Sequence, residues 1–371
     1  MNLKNSSNNL ALLTVLTGYS LLLLAVCLWP YNVSQANGGV WQKGGGLKFT
    51  SPGTAYTESE VSALAGLSQY TLMLHFTPDN PGETSWILSH GVDFERANIL
   101  VGLNSRQLIV RAARNGRYLL AGLSGLLERG ESVWLAVVLD SMGMSVYVDG
   151  RERRTVQSPL SPLSVTPQQR YPLVIGSRGD GKFPWDGVMF QFAVFDRVCS
   201  VEEIQNPELL IRSGKPIVHY DFNSGSGAVI QNMGSGSSGS VIIPPEFSPL
   251  RRPMLMDFEE TWNPYRIWGD MVLNVLAFIP FGFMLSELLC RRVGIGMMIA
   301  ISLAAVFSFS LGIEVLQSFL PKRWSTFTDV ATNTIGGLLG IALHRSGVAS
   351  PLMARFNLFK PAASQGRPAA E

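Results

Sequence analysis

The stretch Ser132-Val-Trp-Leu-Ala-Val-Val-Leu139, followed by Met144-Ser-Val-Tyr-Val148 and Asp149-Gly150, decides the reading of the largest part of this chain. Both runs have strand composition. Asp-Gly is the two-residue signal of a tight hairpin, because both turn positions need a positive φ that Asp tolerates and Gly prefers. Further strand-like runs lie on either side: Tyr70-Thr-Leu-Met-Leu-His-Phe76, Tyr171-Pro-Leu-Val-Ile175, Val188-Met-Phe-Gln-Phe-Ala-Val-Phe195 and His219-Tyr-Asp-Phe222. Gly, Pro, Ser and Asn separate them. Many short strands over residues 40–225 predict an all-β sandwich. Residues 226–265, rich in Gly and Ser and then spaced by prolines, are expected to be a linker.

Outside the sandwich the period changes from two to helical. No charged side chain lies between Lys4 and Lys43, and residues 10–29 are almost wholly apolar. Such a run makes a helix of about 30 Å, enough to cross hydrocarbon. A cleavable secretory signal ending near Ser34-Gln35-Ala36 is the competing reading, although the apolar core exceeds the usual signal length. Residues 271–289, 293–313 and 330–343 are three more apolar runs, the last extended back to about Ser325. The expected layout is an N-terminal helix at 1–34, membrane helices within 266–346, and a tail at 347–371. The fold class is thus a multi-domain membrane protein, a β-sandwich plus an all-α bundle of about four helices.

Composition agrees. Across 371 residues the charged fraction is only 15%, the apolar fraction 46% and the mean hydropathy +0.20. An ordinary soluble domain carries roughly 25% charge. The net charge of +2 gives no broad basic field for nucleic acid. Cys27, Cys199 and Cys290 fit neither a disulfide framework nor the spacing of a cysteine-based zinc site. Orientation follows from Lys4, Arg291, Arg292, Arg345, Arg355, Lys360 and Arg367, which share one side, against Lys322 and Arg323 in the opposite short loop. The positive-inside rule then puts both termini in the cytoplasm and the sandwich outside. Arg251, Arg252 and Arg266 run against this but follow a long exported segment. Trp29, Tyr31, Trp262, Tyr265, Trp268 and Trp324 fall at the outer interface.

The order Trp134-Leu-Ala-Val-Val-Leu-Asp140, Ser145-Val-Tyr-Val-Asp149-Gly150, Leu173-Val-Ile-Gly176, Phe183-Pro-Trp-Asp-Gly187 and Ala193-Val-Phe-Asp-Arg197 leading to Ser200-Val-Glu-Glu-Ile204 resembles a laminin-G-like domain of the concanavalin A-like lectin/glucanase superfamily. The resemblance implies a jelly-roll sandwich, and glycan or protein as ligand. Glucanases of that superfamily space carboxylates E-x-D-x-x-E on one strand, a pattern missing here, and glycoside hydrolysis needs a flanking acid pair. A non-catalytic sandwich is therefore expected. His75 and His90 read as structural histidines. Asp93, Asp180 and Asp186 are candidates for a calcium site of the kind some relatives hold, though loop aspartates usually cap turns. No other cofactor is evident.

The apolar helices carry polar residues at helical spacing. Asp270 and Asn274 are i, i+4; Glu314 and Gln317 are i, i+3; Asp329 and Asn333 are i, i+4, with Arg323 in the loop between. Each pair shares a helix face, and all seven are expected at the outer leaflet level. Ionisable groups near hydrocarbon normally turn inward and pair. Gly336 and Gly340 form a G-x-x-x-G for close helix contact, and Pro280, two residues before Gly282, should kink its helix.

Asp270-Met-Val-Leu-Asn274, Phe278-Ile-Pro-Phe-Gly282, Glu314-Val-Leu-Gln317, Arg323 and Asp329-Val-Ala-Thr-Asn333 with Gly336 resemble the VanZ-like family of bacterial envelope membrane proteins. The family takes its name from a member linked to low-level teicoplanin resistance, and other members lie near exopolysaccharide genes. This chain departs from it by the sandwich between the first span and the rest. The resemblance implies a bacterial plasma membrane protein with lipid as a partner. One reading of the polar cluster is helix–helix glue, with Glu314 and Asp329 paired to Arg323. The other is a pocket for the head group of a lipid or lipid-linked saccharide, Arg323 meeting phosphate. An enzyme acting on a head group or envelope precursor, with Glu314 or Asp329 as acid or base, and a protein-binding scaffold stand as alternatives. No Ser/His/Asp or Cys/His constellation is visible, and His344 belongs to the other membrane side.

Overall fold

The structure is a computed structural model describing residues 3–32, 34–114, 117–157, 169–223, 225–250, 255, 264–320, 323 and 325–347. Arg251, Arg252, Trp262, Lys322, Trp324, Arg355, Lys360 and Arg367 lie outside the described residues, as do the side chains of Lys4, Tyr265 and Arg266. Two compact units form: one from residues 34–252, the other from 1–33 with 253–371.

The first unit is a pair of antiparallel sheets. One runs in the order β1 (Gly39–Trp41), β2 (Leu47–Phe49), β13 (Gly187–Phe195), β4 (Tyr70–Pro78), β9 (Val133–Asp140), β10 (Gly143–Val148), β11 (Arg151–Gln157), with β14 (Val218–Asp221) also paired to β13. The other runs β15 (Val229–Ile230), β16 (Val241–Ile242), β3 (Ala55–Thr57), β12 (Leu173–Ile175), β5 (Ser85–Gly91), β6 (Ala97–Asn104), β7 (Gln107–Arg114), β8 (Arg117–Ser124). Asp149 and Gly150 join β10 to β11 with φ of 51° and 71°, the positive pair a two-residue hairpin requires. Phe49, Leu74, Val101, Val137, Trp185 and Phe192 belong to one buried core cluster drawn from both sheets, with Trp185 against Phe49 and Phe76.

Alternation is incomplete along β4, β9 and β13 because their outer face is covered as well. Met73, Val138 and Phe195 pack beneath Ile204 of α2 (Val201–Gln205) and Leu210 of α3 (Pro207–Ser213). Ser200 caps α2 in a reciprocal box with Glu203. The stretch expected to be a linker differs from that reading. Residues up to 252 belong to the sandwich unit, β16 pairing with β3 and β15 with β16. The Gly/Ser segment between them is held by side chains such as Asn232, whose Oδ1 accepts from the His219 N–H at 2.9 Å.

His90, in β5, is fully buried. Burial drives its pKa down to about 4, with the Tyr171 and Val61 backbones pulling weakly upward. The unfolded imidazole titrates near 6.5. The folded value is the lower one, so this contribution to stability is complete above about pH 6.5 and is lost as pH falls toward 4, where only the unfolded chain takes the proton. The gap corresponds to roughly 3 kcal/mol. Acid unfolding of the sandwich should therefore be shallower by about that amount in His90→Leu. Equal acid slopes for the two proteins would refute this.

The second unit contains α1 (Leu3–Cys27), α4 (Pro264–Leu289), α5 (Ile295–Gln317) and α6 (Phe327–Ser346). Among the described residues three helices are long and apolar enough to cross a membrane: Leu10–Cys27, Trp268–Leu289 and Ile295–Gln317. α6 has 20 residues but is diluted by Thr328, Asp329, Thr332, Asn333 and Thr334. Large apolar side chains including Leu13, Leu22, Leu276, Met297, Phe307 and Leu339 are exposed around this unit, the surface a bilayer would cover. Leu16 and Leu23 of α1 pack with Phe281 of α4 and Ile313 of α5, and the Tyr19 hydroxyl donates to the Ala277 carbonyl at 2.7 Å. Pro280 lies inside α4, which continues past it. α4 and α6 run parallel with their backbones in contact. A Cβ on Gly336 would lie 2.3 Å from the Val275 carbonyl oxygen, and one on Gly282 2.2 Å from that of Gly337.

Candidate functional site

The polar residues of the helical unit gather where α6 begins. Thr326 is the N-cap of α6, and its hydroxyl accepts from the Asp329 N–H at 3.1 Å. In an ordinary capping box the third helical residue would reach back to the cap's own N–H. Here Asp329 turns instead toward α4, where its Oδ1 accepts from Asn274 Nδ2 at 2.7 Å. Glu314 of α5 takes the vacated place, its Oε2 accepting from the Thr326 N–H at 2.9 Å. The box is thus divided between two helices. Glu314 is only 2% exposed. The partial positive charge and unpaired N–H groups at a helix start suit an anion there.

Arg323 is occupied elsewhere. Its Nε donates to the Trp29 carbonyl at 2.8 Å and its Nη2 to that of Val26 at 3.2 Å. Among the described residues it forms no ion pair with Glu314 or Asp329, contrary to the pairing expected of helix glue. Gln317 Nε2 donates to the Cys27 carbonyl at 2.9 Å. Both side chains therefore satisfy the open carbonyl end of α1. Asn333 sits deeper, its Nδ2 donating to Ser310 Oγ of α5 at 2.9 Å. Asp270 is exposed. Asn274 and Asp329 join α4 to α6, Glu314 meets the start of α6 through Thr326, Gln317 and Arg323 donate to carbonyls at the end of α1, and Asn333 bonds Ser310 of α5.

What remains is an excess of acceptors. Gln317 Oε1 and Asn333 Oδ1 are buried without hydrogen-bond partners among the described residues. The Gln317 assignment is secure because its nitrogen must face a carbonyl. Among the described residues neither carboxylate has a paired cation and two buried amide oxygens accept nothing, a set that donors such as hydroxyls or an amine would complement. Sequence reasoning missed Thr326 and Ser310; the Thr326-x-x-Asp329 spacing was the available signal for the first.

In the sandwich, His75 of β4 stacks on Trp134 of β9 with centroids 4.3 Å apart and planes 8° apart, and Phe190 lies 4.7 Å from His75 on the other side. All three are half-buried. His75 Nε2 lies 2.6 Å from Ser132 Oγ. Burial holds the His75 pKa below the usual value, opposed by Glu208 and Asp149. The ring faces are turned toward one another, making a half-buried aromatic stack. The three loop aspartates have separate partners: Asp93 is engaged by Arg96, Asp180 by Arg178, and Asp186 Oδ1 accepts from the Ser51 N–H at 2.5 Å.

Comparison with known proteins agrees with this division. Residues 222–349 match the family VanZ/LLP1, and residues 51–205 match the concanavalin A-like lectin/glucanases superfamily. A curated relative, Protein VanZ of Enterococcus faecium, is 36% identical over 90 residues, which make up 24% of this chain and 50% of that protein. The chain thus spans about half the length of that relative. Among solved structures, a putative carbohydrate binding protein from Bacteroides ovatus is 14% identical, with 56% of this chain and 61% of that one covered at a TM-score of 0.41. A SAP-like pentraxin from Limulus polyphemus is 16% identical, with 46% and 78% covered at 0.33. Likenesses that loose have no bearing on function.

Proposed function

We propose that this chain, which joins a concanavalin A-like sandwich to a VanZ-like helical region, is a bacterial plasma membrane protein that binds envelope glycan or a lipid-linked saccharide. α1, α4, α5 and α6 are its crossings, the sandwich lies outside and both termini lie in the cytoplasm. The reading is carried by the acceptors that Glu314, Asp329, Gln317 and Asn333 leave without cation or donor among the described residues, which would complement the hydroxyls of a sugar head group. The half-buried His75–Trp134–Phe190 stack supports it from the sandwich as an aromatic patch for the C–H groups of a sugar. A part in envelope polysaccharide metabolism or in tolerance of glycopeptides such as teicoplanin is the physiological role consistent with the family match.

Full-length protein released in mild detergent and weighed by native mass spectrometry should retain a lipid-linked saccharide. The near-isosteric double variant Glu314→Gln with Asp329→Asn should retain it at least ~10-fold less, since a charge-assisted hydrogen bond contributes about 1.5–3 kcal/mol. On intact cells, an impermeant thiol reagent should miss Cys290 and label a cysteine introduced by Arg323→Cys. No retained saccharide, or equal retention by the variant, rejects the binding reading; the opposite labelling pattern rejects the orientation. Turnover of the retained species, lost in the variant, would replace binding alone with enzymatic action.

A further inference from the structure

At the far ends of α4 and α6, Glu287, Cys290 and His344 bring a carboxylate, a thiol and an imidazole together, their ligand atoms all within 4.8 Å of one another. We propose that these three residues bind a divalent transition metal of the zinc class, at a site separate from the cluster where α6 begins.

The donor set selects the ion. Calcium and magnesium take oxygen ligands, whereas thiolate and imidazole together favour zinc and its neighbours. Three protein ligands with a fourth position left for water is a common zinc arrangement. Ligands around tetrahedral zinc lie roughly 3.5 Å apart, given bonds of about 2.0–2.3 Å. With every pair of ligand atoms within 4.8 Å, little more than about 1 Å separates this arrangement from that spacing. His344 Nε2 already lies 3.0 Å from Glu287 Oε2. The imidazole edge packs on Phe283 at 5.4 Å, and His344 Nδ1 is buried without a hydrogen-bond partner among the described residues. Nδ1 is therefore the nitrogen that carries the ring proton when Nε2 turns to the metal.

Helix direction adds a second argument. Glu287 lies in the last turn of α4, Cys290 follows it, and His344 lies in the last turn of α6. The two helices run parallel, so both carbonyl ends, each carrying partial negative charge, face this site and favour a cation. Arg291 Nη2 stands 3.7 Å from Glu287 Oε1, the other carboxylate oxygen, and can remain there as an outer partner. On binding, the thiol proton leaves to solvent and the imidazole proton moves to the second ring nitrogen. Thiolate and carboxylate then balance the two positive charges of the ion.

Cobalt(II) is the probe, added to tag-free full-length protein in detergent, because a thiolate ligand gives it a charge-transfer absorption that oxygen and nitrogen ligands do not. One equivalent should produce that band, and zinc should displace it. Cys290→Ser should abolish the band and His344→Ala should weaken binding more than ~100-fold, since even outer partners are worth roughly 10–100-fold. Cys27→Ser and Cys199→Ser should leave it unchanged. Independently of any variant, zinc should slow alkylation of Cys290 in the wild-type protein. A band that survives Cys290→Ser, no band at all, or alkylation of Cys290 unaffected by zinc would overturn the assignment.

Discussion

Gly340→Val is expected to leave little folded protein in the membrane. A Cβ at Gly340 would stand 2.1 Å from the Ile279 carbonyl oxygen and 2.8 Å from the Phe283 nitrogen. Both are backbone atoms of a packed helix and cannot swing aside as a side chain would. Ordinary overpacking costs about 1–3 kcal/mol; with backbone as the obstacle the cost should be about 3 kcal/mol or more. The variant also separates α4 from α6, and so should loosen the Asn274–Asp329 bond and the Glu287–His344 pair together. Gly312 on α5 is the control, having nothing within 4 Å of its Cβ position, so Gly312→Ala should change stability by no more than about 0.5 kcal/mol. Thermal unfolding in detergent, followed by the fraction remaining monodisperse, reads both. Equal midpoints for the two variants would show that close backbone approach does not hold these helices.

Trp185→Ala should be the most damaging single truncation in the sandwich. The ring is 0% exposed and lies between Phe49 and Phe76, at centroid distances of 6.0 and 5.9 Å. Removing a buried Trp side chain costs about 3–5 kcal/mol, through lost transfer energy and the cavity left behind. The indole Nε1 has no hydrogen-bond partner among the described residues, so truncation strands no polar group and the loss is one of packing. Denaturant unfolding of the full chain, followed by near-ultraviolet circular dichroism, should show the sandwich transition at markedly lower denaturant. A loss below about 1 kcal/mol would mean the sheets collapse onto the gap.

The strands legible in the sequence are those with strand composition beside turn signals: β4, β9, β10, β12, β13 and β14, with Asp149-Gly150 closing the hairpin. β5 to β8 escaped the same reading. β5 is buried at every position, so its sequence carries no period of two. β15 and β16 escaped for another reason: two-residue strands flanking a Gly/Ser-rich segment have no pattern of their own, and β16 exists by pairing with β3 and β15 by pairing with β16. In the helical unit, apolar runs marked α1, α4 and α5 plainly, while α6 was harder to see because its buried face is polar and glycine-rich.

Local periodicity determined which residues share a face: Asn274 with Asp270, Glu314 with Gln317, Asp329 with Asn333. It also determined that apolar helices and an alternating sandwich coexist in one chain. Only the tertiary structure decided the partners. Arg323 could have met a carboxylate, yet it donates to carbonyls at the end of α1, 294 and 297 residues away; Glu314 completes the cap of a helix that is not its own; and Cys290 lies beside His344 rather than near another cysteine. The physical reason is that side-chain spacing is set by the geometry of one helix. A hydrogen-bond partner or a shared ligand is set by which backbones can approach, and here Gly282, Gly336 and Gly340 make that choice.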